Sequence, residues 1–174
     1  MNSQTLTLLL LLLVGIFTSC DKDDIEYQNQ FEKSYRAWLD FKKESGNSYT
    51  YTTTFGSSTG FAGQTKITVA SGRVIERHFK YTAVPQGSLV PQESLEWTEN
   101  ESELNSHTYT SASLPLTLDQ IYQQAKNEWL LERKNAKTYF EAKNNGLISS
   151  CGYVEDGCQD DCFLGISIGS IKKN

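Results

Sequence analysis

The stretch "SYTYTTTFGSSTGFAGQTKITVASGRVIERHFKY" (residues 48–81) decides the fold. It opens with Tyr49, Tyr51, Thr53 and Phe55 alternating against Thr50, Thr52 and Thr54. That period of two is the mark of a strand with one buried face. "GSSTGFAG" (residues 56–63) reads as a flexible loop. "TKITV" then places Ile67 and Val69 on one face, and Ser71-Gly72 supplies a tight hairpin turn. "RVIERHFKY" returns with Ile75, Phe79 and Tyr81 on one side and Glu76, His78 and Lys80 on the other. The pattern predicts an antiparallel meander with one wet face.

Helical patterns flank the meander. Residues 25–44 carry Phe31, Tyr35, Trp38 and Leu39 at helical spacing, with Lys42-Lys43 near the end and Gly46 as a stop. Residues 84–116 are punctuated by Pro85, Pro91 and Pro115. Within them "SLEWTE" and "SHTYTSA" read as short strands. "LTLDQIYQQAKNEWLLER" reads as a second helix, with Thr117 and Gln120 at capping-box spacing and Leu118, Ile121, Tyr122 and Ala125 as its buried stripe. "KTYFEAK" and "GLISSCGYV" read as strands joined by Asn144-Asn145-Gly146, and Leu164, Ile166 and Ile168 alternate in the last strand. The expected class is α+β: an antiparallel sheet with two helices packed on it, in the order α-β(3–5)-α-β-β.

The chain has 174 residues, nine Tyr, eight Phe and three Trp. That aromatic content belongs to a packed domain and not to a disordered chain. The net charge of -5, with no Lys/Arg cluster, argues against a nucleic-acid partner.

Residues 1–19 carry no charged side chain, and residues 8–17 are apolar apart from Gly15. Ten helical residues rise about 15 Å, short of the roughly 30 Å hydrocarbon core. The segment reads as a secretory signal peptide. Thr18-Ser19 precede Cys20, and Asp21-Lys22-Asp23-Asp24 follow it. The first group resembles the lipobox of bacterial lipoproteins, with Phe17 where Leu is usual. The second resembles the export signal of Bacteroidetes and flavobacterial surface lipoproteins. The resemblance implies cleavage before Cys20 and acylation of that residue. Two or three acyl chains hold a protein stably to a bilayer where one does not. It further implies that Lys22, Asp23 and Asp24 direct the protein to the outer membrane and its cell surface. Residues 20–24 are then a lipidated tether and residues 25–174 a single domain. The element order is similar to that of small uncharacterised bacterial lipoproteins, through Trp38 and residues 49–51, 67–74 and 119–122. That likeness implies a fold and no site.

The densest chemistry is "CGYVEDGCQDDCFLG" (residues 151–165). An exported protein meets oxidising conditions, so Cys151, Cys158 and Cys162 are disulfide candidates. All three pairings are open. The expected one is Cys151–Cys162 across adjacent strands, leaving Cys158 over. Glu155, Asp156, Asp160 and Asp161 are candidate calcium ligands, without the order of an EF-hand loop. Zinc would need the three cysteines and His107 together. Otherwise no cofactor is expected. His78 reads as a surface side chain and His107 as a loop residue, with no G-x-S-x-G beside either. Glu93, Glu96 and Glu99 select no acid pair. Tyr49, Tyr51, Tyr81, Trp97 and Tyr109 could line a sugar or peptide platform, although alternating strands usually bury such residues.

The function expected is a lipid-anchored surface module that binds or scaffolds, with a protein or glycan ligand. The alternatives are a small metal-dependent or hydrolytic enzyme, and an inhibitor or accessory subunit of an envelope complex.

Overall fold

The alternation that begins at Tyr49 becomes the central strand of the sheet. In the computed structural model, which describes residues 25–108 and 110–174, β1 (Tyr49–Gly56) pairs with β2 (Ala62–Ala70) on one side and with β7 (Leu164–Lys173) on the other. β3 (Arg73–Ala83) and β4 (Glu96–Asn100) continue the sheet beyond β2. β6 (Ser150–Glu155) and β5 (Ala136–Glu141) continue it beyond β7. The order is β4-β3-β2-β1-β7-β6-β5, with every pairing antiparallel.

Three helices accompany the sheet: α1 (Gln28–Glu44), a single turn α2 (Gln92–Leu95) and α3 (Leu118–Gln124), which runs on into a π-helical turn (Ala125–Trp129). The α+β class is as expected. The order is not: α2 is additional, and three strands rather than two follow α3. The acidic cysteine segment is the connection between β6 and β7.

Local chemistry explains most boundaries. Ser71 and Gly72 both take positive φ (48° and 77°), the pairing a two-residue I′ hairpin turn requires. Asn145 (52°) and Gly146 (90°) do the same between β5 and β6. Thr117 and Gln120 form the reciprocal capping box at the start of α3. "SHTYTSA" is no strand at its described positions, 106–108 and 110–112; Tyr109 lies outside the described residues. α1 starts at Gln28 rather than residue 25, because Tyr27 is left-handed (φ 61°) and Ile25 bridges to Leu131 instead.

The buried stripe of α1 is Phe31, Ser34 and Trp38, whereas Tyr35 and Leu39 are exposed. Trp38 is the hinge of the packing. Its ring stacks on Tyr122 of α3 (centroids 6.1 Å apart, planes at 11°) and meets Tyr49 of β1 edge-on at 5.4 Å. Its Nε1 donates to Asp119 at 3.0 Å, and Lys42 pairs with the same carboxylate. Ser34 and Tyr122 join hydroxyls at 2.7 Å. β1 reaches α3 directly, since Tyr49 Oη accepts from the Leu118 amide at 2.8 Å and Tyr51 Oη donates to the Leu116 carbonyl.

One strand departs from its expected faces. A bulge in β3 sets Val69 opposite Val74 and Thr68 opposite Glu76. The extra residue shifts the alternation, so Val74, Arg77 and Phe79 are the buried positions while Ile75 and Tyr81 are half-buried. Leu164, expected in the core with Ile166 and Ile168, is exposed at the mouth of β7.

Because Trp38 touches both helices and β1 from a fully buried position, Trp38→Ala should cost about 3–5 kcal/mol. Urea unfolding of the variant against wild type measures this. A cost near zero would show that the two helices dock on the sheet independently.

Candidate functional site

The sheet is not continuous through its centre. β1 and β7 pair only across residues 49–53, ending in a bulge where Thr52 faces Ser170 and Thr53 faces Ile168. Beyond it β1 continues with β2 alone as far as Gly56, and β7 begins with β6 alone from Leu164. The two strands part, and a cleft of about 580 Å³ fills the fork. Thr54, Phe55 and Gly56 line one wall, and Phe163, Gly165 and Ser167 the other. Ser111 and Ser113 close the core side, where the Ser113 and Thr53 hydroxyls meet at 2.7 Å. A second hollow, of about 320 Å³, lies on the outer face of β5–β6–β7 and shares Phe163 and Ser167 with the first. There the Phe163 ring lies over Gly152, where a Cβ would come within 2.7 Å of the ring, and Tyr139 stands edge-on at 6.4 Å.

The cysteine segment forms the rim of this cleft, with a different pairing from the one expected. Cys158 and Cys162 are bonded, across a Cα separation of 6.0 Å. Cys151 is free and fully buried, opposite Ile166 on the core side of β6, and burial pushes its thiol up to about 12. Strand register therefore sends Cys151 inward, while Cys162 sits in the loop within reach only of its near neighbour. The carboxylates do not gather: among the described residues no three His, Cys, Asp or Glu side chains converge on a metal position. Asp161 instead reaches across the fork. It accepts from the Ser57 hydroxyl and the Ser58 amide, both at 3.0 Å, clasping the loop after β1 to the stapled loop before β7.

A second cluster was not anticipated from sequence. Arg77 and Glu99 are fully buried and joined by two hydrogen bonds, Nε to Oε2 at 2.8 Å and Nη2 to Oε1 at 2.9 Å. The amides of Asn105 (3.0 Å) and His107 (2.7 Å) and the Ser106 hydroxyl (3.2 Å) also donate to Glu99. The guanidinium lies over the Trp97 ring at 4.9 Å, and His107 stacks on the same ring at 4.0 Å. Burial alone would raise the Glu99 pKa. The His107 amide, the Arg77 guanidinium and the Asn105 amide outweigh it and hold the carboxyl down at about 2. Both carboxylate oxygens are occupied, so the group ties residues 101–107 to the sheet and is not a free base. Its signal in the sequence was the position of Arg77 between Ile75 and Phe79 on an apolar face.

The other sequence candidates are dispersed. His78 faces Glu96 on the outer side at 3.1 Å, and His107 is held by Glu99, away from the cysteines a zinc site would need. Glu96 and Glu99 point to opposite faces of β4. Tyr49, Tyr51 and Trp97 are core rather than platform. Cys20, Lys22, Asp23 and Asp24 lie outside the described residues. No helix among those described is long and apolar enough to cross a membrane. A third hollow, about 540 Å³, separates α1 from α3 beside Phe31, Tyr35 and Lys126. Comparison with protein-family models, with curated proteins and with solved structures gives no match.

Two measurements check this geometry. Because the folded Glu99 pKa lies below its ordinary 4.5, its stabilisation is complete above about pH 4.5 and is lost as pH falls through about 2. Unfolding free energy should drop by about 3 kcal/mol across that window, and Glu99→Gln should lose most of the drop while being less stable at neutral pH. An unchanged slope would remove Glu99 from the acid response. Separately, a non-reduced digest read by mass spectrometry should show Cys158 linked to Cys162 and Cys151 as a thiol; a Cys151 linkage would overturn the register of β6.

Proposed function

We propose that this chain is a lipid-anchored envelope protein, displayed at the cell surface, whose domain binds a protein or glycan ligand in the fork between β1 and β7. The observation that carries the binding role is the cleft itself. It interrupts the middle of a seven-stranded sheet and offers aromatic faces at Phe55 and Phe163 beside serine hydroxyls. Such a mixture of apolar surface and a few placed polar groups suits a ligand pocket. Its walls are strands and its rim is fixed by the Cys158–Cys162 staple and the Asp161 clasp, so the site is pre-organised and little ordering is left for the binding step. The anchor rests on the resemblance of residues 17–24 to a lipobox with an export signal. An anchored receptor with a short tether presents its cleft close to the membrane, where a ligand can be retained.

Two expected outcomes test the proposal. Cys20→Ala should abolish incorporation of labelled fatty acid, and replacing Lys22, Asp23 and Asp24 by neutral residues should lower protease accessibility on intact cells. Labelling that persists, or accessibility that does not change, defeats the corresponding part. Material captured from the envelope by the full chain should be lost on Phe163→Ala, a substitution at a half-exposed rim residue. Retention by that variant would move the site away from the fork.

A further inference from the structure

The Cys158–Cys162 bond encloses only Gln159, Asp160 and Asp161. A disulfide stabilises a fold more the longer the loop it closes, so a ring this short acts on its own segment and little on the domain. What it holds is Asp161. That residue sits at φ 49°, in the left-handed region, which costs a residue with a side chain more than the right-handed one. Cys162 follows it directly. From there the Asp161 carboxylate accepts from the Ser57 hydroxyl and the Ser58 amide, both at 3.0 Å. Among the described residues, no other hydrogen bond or ion pair joins residues 57–61 to residues 156–163. The bond is open to solvent: Cys158 is exposed, and Cys162 is half-buried on the lining of the cleft. Exposed disulfides are the labile ones, because exchange requires a thiolate to reach a sulfur. The third cysteine takes no part, since Cys151 is fully buried in the core.

We infer that Cys158–Cys162 is a thiol–disulfide exchange site whose reduction releases Asp161 and loosens the fork, so that the oxidised chain holds its ligand and the reduced chain lets it go. The release of ligand rests on the fork being the ligand site; the release of Asp161 does not. The co-reactant is a dithiol. One of its thiolates attacks the exposed Cys158 sulfur, the S–S bond breaks, and Cys162 leaves as a thiolate that takes up a proton. The second thiol, as its thiolate, attacks the mixed disulfide and frees Cys158, which is protonated in turn. Two electrons and two protons pass to the protein, and the dithiol becomes a disulfide. With the ring open, residues 159–161 regain conformational freedom. Asp161 then leaves the left-handed conformation that aims its carboxylate across the mouth. The hydrogen bonds to Ser57 and Ser58 go with it. The walls remain, held by the β1–β7 ladder and by their separate partners β2 and β6. Reduction therefore changes the rim and not the fold, and binding loses its pre-organised rim.

The test compares the full chain, solubilised in mild detergent, before and after treatment with dithiothreitol. Excess iodoacetamide applied to the folded, reduced chain should label Cys158 and Cys162 and leave Cys151 unlabelled. Amide exchange at Ser58 should speed up about tenfold, the change expected for one lost hydrogen bond. Residues 49–53, in the β1–β7 ladder, should keep their rates. Asp161→Ala should exchange fast at Ser58 in both redox states, because the bond acts through this carboxylate. Envelope material captured by the oxidised chain should be lost after reduction. Absence of label on Cys158 and Cys162, an unchanged Ser58 rate, a rise that extends to residues 49–53, or a further rise on reducing Asp161→Ala overturns the exchange site. Capture that survives reduction yet is lost on Phe163→Ala overturns the release while leaving the fork as the ligand site. Capture that survives both overturns both.

Discussion

Residues 49–53 of β1 carry pairing on both edges at once, to β2 and to β7. Every other pairing joins strands that are neighbours in sequence order. Among the described strands, the β1–β7 pairing joins partners far apart in sequence, so it carries the loop-closure cost of more than a hundred residues. The helices repay that cost at the same place. Tyr49 and Tyr51 each bond the entry to α3, and Trp38 of α1 packs on Tyr49 and on Tyr122. Burial drives the phenols of Tyr49 and Tyr51 well above the ordinary tyrosine range, so they stay neutral and their hydrogen bonds do not titrate under physiological conditions.

The fork follows from how each strand is held once that joint ends. Phe55 turns towards the neighbouring strands, where its ring lies 6.2 Å from Phe79 and 5.9 Å from Tyr81, and a Cβ on Gly63 would stand 2.5 Å from its edge. The end of β1 is thus seated on β2 and β3. On the other wall Gly152 and Gly165 approach so closely that a Cβ on Gly165 would run into the Cys151 carbonyl, which fixes β7 to β6. Glycine serves here for close approach of backbones. Two separate seats draw the walls apart, and the Asp161 clasp with its disulfide holds the mouth at a set width.

What the sequence made legible was local. The Ser71-Gly72 turn, the Thr117 capping box, the Asn145-Gly146 turn and the burial of Ile67, Val69, Leu118 and Ile121 each depend on residues a few positions apart. The misses depend on distant partners. One bulge in β3 was enough to exchange Val74 for Ile75 in the core. Tyr35 and Leu39 have helical spacing but lie outside the arc that Trp38 and Phe31 bury. Arg77 could be recognised as a buried cation only once β4 supplied Glu99 in register. The cysteine pairing needed the face of β6, and the fork needed the order of the central strands, neither of which periodicity contains.

The contrast between the outer edges and the fork bears on how the molecule meets others. Sheet edges invite pairing with other chains unless they are guarded. β5 ends the sheet with exposed Lys137 and Glu141 on its solvent face, and β4 is five residues long with exposed Glu96. Beyond β4 the buried Glu99 pulls residues 105–107 against the strand through its hydrogen bonds. Charge and brevity therefore blunt both outer edges. The inner strands at the fork are held differently: Gly165 packs against the Cys151 carbonyl of β6, and Asp161 binds Ser57 and Ser58 across the mouth. The outer edges are thus guarded by charge and brevity, while the two inner strands are tied at both ends of the fork, by the β1–β7 ladder and by the Asp161 clasp.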